Sequence, residues 1–194
     1  MTSRWWLISI VILGGCVTQD VKPYPIGWPA LQENASCDLL TGRYRNESET
    51  TRSQVSLHTG SRRHLTGLLG NDSVDNKIKS GSEVEEVAID AAALTAVVHG
   101  PGTAMTSVDL RESWSCDQSG RLKGHYDGVN QSEGSVITRA TVDVLFQRAA
   151  DGSLVARAEY RWRGVQLVVV PFSDARVDWL RFVPMSAPSG AKRP

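Results

Sequence analysis

Val136-Ile-Thr-Arg-Ala-Thr-Val-Asp-Val-Leu-Phe-Gln-Arg148 and Ser153-Leu-Val-Ala-Arg-Ala-Glu-Tyr-Arg-Trp-Arg163, separated by Ala149-Ala-Asp-Gly152, decide the fold class. In the first run the even positions from Val136 to Phe146 are mostly apolar, while the odd ones include Arg139, Thr141 and Asp143. In the second, Leu154, Ala156, Ala158, Tyr160 and Trp162 alternate with Arg157, Glu159, Arg161 and Arg163. A period of two places one face in a core and the other in water, and Asp-Gly between two such runs predicts a hairpin. The fold is therefore expected to be all-β and antiparallel.

Val108–Cys116 and Leu122–Asp127 alternate in the same way about a turn at Asp117-Gln-Ser-Gly120. Further strands are expected at Val84–Asp90, Leu94–His99, Val165–Val170, Arg176–Val183, Arg43–Asn46 and Arg52–His58. Only Leu65–Leu69 reads as a helical turn, with Gly67 against it. About eight to ten consecutive antiparallel strands must manage their edges, and closure removes edges altogether. The expectation is a single barrel-like domain or strongly curved meander over residues 37–183. The Pro/Ser/Gly-rich tail 184–194 is expected to be disordered.

Two short segments support a barrel by resemblance. Leu40-Thr-Gly-Arg-Tyr44 is similar to the Gly-x-Trp that opens the first strand of lipocalins, with Tyr44 in the Trp position. Asp178-Trp-Leu-Arg181 supplies an arginine where lipocalins carry one that closes the base of the barrel. The resemblance implies a lipocalin/calycin-like barrel and a role as carrier of a small apolar ligand.

The N-terminus carries an address. Arg4 precedes an apolar run, Trp5–Leu13, far shorter than the ~20 residues a membrane-spanning helix needs, so residues 1–15 read as a signal peptide. Leu13-Gly14-Gly15-Cys16 resembles the lipobox of bacterial lipoproteins. The resemblance implies cleavage between Gly15 and Cys16, diacylation (palmitate or a similar chain) on the sulfur, and Cys16 as acylated first residue. Ordinary processing after Gly15, leaving a plain thiol, is the alternative. Val17 rather than Asp after the cysteine implies sorting to the outer membrane, facing the periplasm. Three acyl chains exceed the two signals that stable attachment requires. Residues 16–36 read as the lipidated cysteine and its tether: Lys22–Pro29 holds three prolines and a glycine, and twenty residues reach roughly 65 Å when extended. Tyr24, Ile26 and Trp28 are apolar enough to dock on the domain.

With the signal removed, 20 basic and 21 acidic side chains remain, which gives no electrostatic footprint for nucleic acid. With Cys16 assigned to lipid, Cys37 and Cys116 are left as a pair in an oxidising compartment. A disulfide is expected. The rival, a metal site, lacks a second ligand at close spacing beside either cysteine. Sequons at Asn34, Asn46, Asn71 and Asn130 mark polar, turn-like segments.

The sequence holds no nucleophile elbow, phosphate loop or dinucleotide fingerprint, and implies no cofactor. His58 and His64 flank Arg62 and Arg63, which disfavours a metal ion; Asp72 and Asp75 read as turn residues. Glu83, Glu85 and Glu86, and likewise His125 and Asp127, are expected on wet faces. Glu112 is the one polar residue on the apparent inward face of its strand, between Leu110 and Trp114, and needs a partner such as Arg181. Glu112, Trp114, Tyr126, Tyr160 and Trp162 are the candidate ligand contacts if the interior is hollow. The leading functional expectation is a non-enzymatic, membrane-anchored module that binds a protein or lipid of the envelope. The alternatives are the apolar carrier and, third, an envelope hydrolase.

Overall fold

The computed structural model describes residues 17–33, 36–49, 64–69, 84–99, 105–127, 131–133, 136–166 and 170–185. Its strands in chain order are β1 (Val17–Val21), β2 (Gly42–Arg45), β3 (Glu86–Asp90), β4 (Thr95–His99), β5 (Thr106–Asp109) and β6 (Trp114–Cys116). They continue with β7 (Leu122–Asp127), β8 (Gln131–Glu133), β9 (Val136–Arg148), β10 (Leu154–Gln166) and β11 (Val170–Phe182). A 3-10 turn at Cys37–Leu40 and a five-residue helix, α1 (Leu65–Leu69), complete the described elements.

The β9–β10 hairpin is the spine. Its arms run 13 residues each and stay in register from Leu154 opposite Arg148 to Gln166 opposite Val136. Gly152, at φ +86°, supplies the left-handed residue that the turn requires. Alternation does what it predicts: Ala140, Val142, Val144 and Phe146 are buried, as are Leu154, Ala156, Ala158 and Tyr160. Around the spine a sheet forms in the order β1-β11-β10-β9-β7-β6, with β8 also on β9. A second sheet has the order β2-β3-β4-β5. Inward residues of both, including Val87, Ile89, Ala96 and Val98 from one and Leu122, Val144, Phe146 and Leu180 from the other, share one core.

The all-β expectation holds, but the described strands form two sheets and not one closed barrel. Their backbones are joined at one corner, where Tyr44 bridges Pro184 and the Arg45 N–H donates to the Val183 carbonyl at 2.9 Å. The break lies between β5 and β6, in a stretch whose alternation reads as a single strand. The Trp114 N–H turns back to the Leu110 carbonyl at 2.8 Å, and the Leu110 N–H donates to Leu94. The Asp109 carboxylate holds the Arg111 N–H at 3.0 Å, so the chain bends and changes sheet. Glu112 is accordingly exposed within this turn, not inward, and needs no buried partner. Arg181 instead binds Glu49, Asp151 and Ser153 Oγ beside the β9–β10 turn, and does not pair with Glu112.

Residues 17–33, read from sequence as a tether, lie on the domain. β1 pairs in parallel with Ser173–Val177 of β11 and covers that sheet edge. The Trp179 indole N–H donates to the Lys22 carbonyl at 3.0 Å, and Tyr24 meets the rings of Trp28 and Trp179 edge-on. Ile26 stays fully exposed. Asn46, despite its sequon, is fully buried: it donates to the Val84 carbonyl and accepts from the Thr66 N–H, which fixes the start of α1. Glu86 is not solvated either. It is 7% exposed and held by both nitrogens of the Arg43 fork. The expected strand Arg52–His58, Cys16, the asparagines of the other three sequons and residues 186–194 lie outside the described residues.

The Arg181 cluster yields a pH prediction. Partial burial raises the Asp151 carboxyl, but hydrogen bonds from the Ser153 hydroxyl and N–H and from Arg181 outweigh it and take it from 3.8 down to about 2. A depressed carboxyl stabilises the fold fully above its unfolded value, and that contribution is lost as pH falls through the folded value. Asp117, at the β6–β7 turn, is lowered in the same sense: burial is outweighed by hydrogen bonds from Arg121, Lys123 and Ser119. Urea unfolding of Asp151→Asn should therefore be less stable than the parent at pH 6 and show a shallower loss between pH 4 and 2. An unchanged acid limb would remove the cluster from the account.

Candidate functional site

Of the five aromatic and acidic positions singled out from sequence, Trp114 and Tyr160 belong to the core, Tyr126 and Trp162 pack against it, and Glu112 stands on an exposed turn. Trp114 is 3% exposed and stacks on Phe146 with ring centroids 5.1 Å apart; Tyr126 meets it edge-on at 5.9 Å. The Trp114 indole N–H donates to the Leu69 carbonyl at 3.3 Å, and the Tyr126 hydroxyl donates to Leu68. Burial holds the Tyr126 hydroxyl far above the ordinary phenol range. α1 thus seats its last two carbonyls on the two rings. Tyr160 and Trp162 stack on each other at 5.8 Å further along the sheet. Glu112 lies outside this interior, on the exposed turn that leads into Trp114. The four aromatic side chains are part of, or packed against, the core that the two sheets share.

The opposite, wet face of β7, β9 and β10 carries the open site. Register places Lys123 beside Leu145 and Leu145 beside Arg157; the next row sets His125 beside Asp143 and Asp143 beside Glu159. These are the odd positions of alternating strands, so their common face was legible. Their association was not, because it depends on which strands pair.

A shallow depression of about 350 Å³ lies over these rows, rimmed by Ser113, Ser115, Lys123, His125, Asp143 and Arg157. His125 Nδ1 lies 2.7 Å from Asp143 Oδ1, and His125 Nε2 lies 4.0 Å from Asp127. Arg161 bridges Asp143 at 3.4 Å and Glu159 at 2.6 Å, and Arg157 reaches Glu159 at 3.1 Å. Lys123 is shared with Asp117 at 3.0 Å. A serine–histidine–carboxylate relay needs the second imidazole nitrogen on a hydroxyl. Here that nitrogen faces Asp127. The arrangement offers exposed donors and acceptors of both signs around an apolar floor at Leu145.

Among the described residues no three His, Cys, Asp or Glu side chains are grouped to hold a metal ion, and no helix is long and apolar enough to cross a membrane. Cys37 and Cys116 are joined as a disulfide, with Cα atoms 6.0 Å apart. Set against protein-family models, characterised proteins and solved structures, the chain gives no match.

Proposed function

We propose that this chain is an outer-membrane lipoprotein, anchored through Cys16 and facing the periplasm, whose β domain binds another envelope component on the wet face of β7, β9 and β10. The observation that carries the reading is the contrast between the two faces. The inward face is filled by Trp114, Phe146, Tyr126 and Tyr160, whereas the outward face has a depression with charges of both signs on its rim. Among the described residues, inward aromatic rings packed on one another support a binding module over the lipocalin-like carrier, since carriage needs volume. Exposed, mutually paired charges favour selective docking over chemistry, because complementary charges set register and partner choice.

Two measurements test it. Cys16→Ala should move the chain from the membrane fraction to the soluble periplasmic fraction, with loss of the acyl mass at the mature N-terminus; retention in the membrane would sink the anchor. A photo-crosslinking residue at Ser115, compared in living cells with one at Ala92 on the far sheet, should give a discrete adduct only at Ser115. Equal adducts at both positions, or none, would remove the wet face as the docking site. A lipid-sized mass released on denaturation of the native protein would favour the carrier instead.

A further inference from the structure

If Cys16 bears the lipid, the anchor has no slack. Consecutive Cα atoms are about 3.8 Å apart, and the residue after Cys16 is already in β1, opposite Ser173 of β11. The membrane must therefore lie at the end of the domain where β1 begins. The hydrogen-bonded row through that point runs Val17, Ser173, Arg163, Arg139 across β1, β11, β10 and β9. With strands about 4.8 Å apart, the two arginines stand roughly 10 and 14 Å from the anchored strand.

Two features of that end are unusual for a face in water. First, like charges directly opposite each other weaken a sheet pair, yet Arg163 and Arg139 are such a pair and both are exposed. Among the described residues Arg139 meets only the exposed Asp127, at 3.2 Å, and no carboxylate pairs with Arg163. An anion shared by the two forks removes the conflict, and phosphate suits the planar guanidinium. Second, β10 and β11 continue past the row, with Gly164–Gln166 paired to Val170–Phe172. Three residues per strand carry them about 10 Å beyond it. No charged residue occurs between Arg163 and Asp174. Uncharged strand ends with arginines at their base match the layering of a bilayer surface, apolar below and phosphate above.

We propose that this end of the domain, Gly164–Gln166 and Val170–Phe172 with Arg139 and Arg163, rests on the phospholipid surface, the two arginines on lipid phosphates. The proposal builds on the lipoprotein reading and adds an orientation to it. The β9–β10 turn then stands about 30 Å from the row, nine residues away along β10, and the His125–Asp143 depression faces sideways about 13 Å above it.

The test uses the full acylated chain in vesicles of phosphatidylglycerol and phosphatidylcholine that contain nitroxide-labelled lipid. A dye is placed on Pro171→Cys or, at the far end, on Ala150→Cys; both side chains are exposed. The dye at 171 should lose most of its emission and the dye at 150 should keep it. Arg163→Glu should restore much of the emission at 171 without lowering the unfolding midpoint, since it puts opposite charges across from Arg139. Emission at 171 that survives as well as at 150, on protein whose Cys16 carries acyl mass, overturns the orientation and leaves the anchor standing. Absence of acyl mass overturns the anchor and, with it, the premise of the orientation.

Discussion

Cys37→Ser or Cys116→Ser should destabilise the domain by as much as ~4.5 kcal/mol, the loop-entropy value for a closed loop of this length. The two residues are 79 apart in sequence. Cys37 sits buried in the 3-10 turn that opens the domain, and Cys116 ends β6. β6 has three residues and a single neighbour, β7, and the chain reaches it through the tight turn that leaves the second sheet. The bond is thus the covalent tie on an edge strand with few hydrogen bonds of its own. Urea unfolding of either variant, beside the parent with and without reductant, measures the effect. Both variants should match the reduced parent. A reduced parent as stable as the oxidised one would show that the bond constrains nothing the unfolded chain explores.

Trp114→Ala is the second large effect, with an expected loss of about 3–5 kcal/mol for a buried tryptophan. Its ring is stacked on Phe146, edged by Tyr126, and is the donor to the Leu69 carbonyl that ends α1. It also lies on Gly124: a Cβ there would sit 2.6 Å from the indole Cε2. A stacked indole cannot retreat, so Gly124→Ala should cost about 1–3 kcal/mol by overpacking. The two changes share one contact and must not add. In the Trp114→Ala background, Gly124→Ala should be close to neutral, because the clash is gone and alanine suits a strand better than glycine. A double-mutant cycle by thermal or urea unfolding decides this; additive losses would mean that the ring does not rest on Gly124.

The same residues show how far the sequence could be read. The β9–β10 hairpin was legible because its signal is local: alternation, turn and pairing all fall within some thirty residues. The disulfide was legible because three cysteines, one of them claimed by a lipobox-like motif, leave a single pair. The change of sheet at Leu110–Ser113 was not. A turn of four residues preserves parity, so Val108, Leu110, Trp114 and Cys116 stay in phase although the backbone bends between them. Glu112 inherited that error, because its inward position depended on a continuous strand.

Period-two alternation, turn chemistry and a single remaining cysteine pair are short-range signals, and they sufficed for the all-β class, the β9–β10 hairpin and the disulfide. Which edges meet is settled by the folded whole. β1 lies on β11 because Trp179 and the open edge of β11 offer a donor, an apolar face and an unpaired backbone to a segment more than 150 residues earlier. That pairing turns an expected tether into a fixed strand. Backbone hydrogen bonds carry no residue code, so the choice among edges is made by the packed whole and cannot be read from either strand alone.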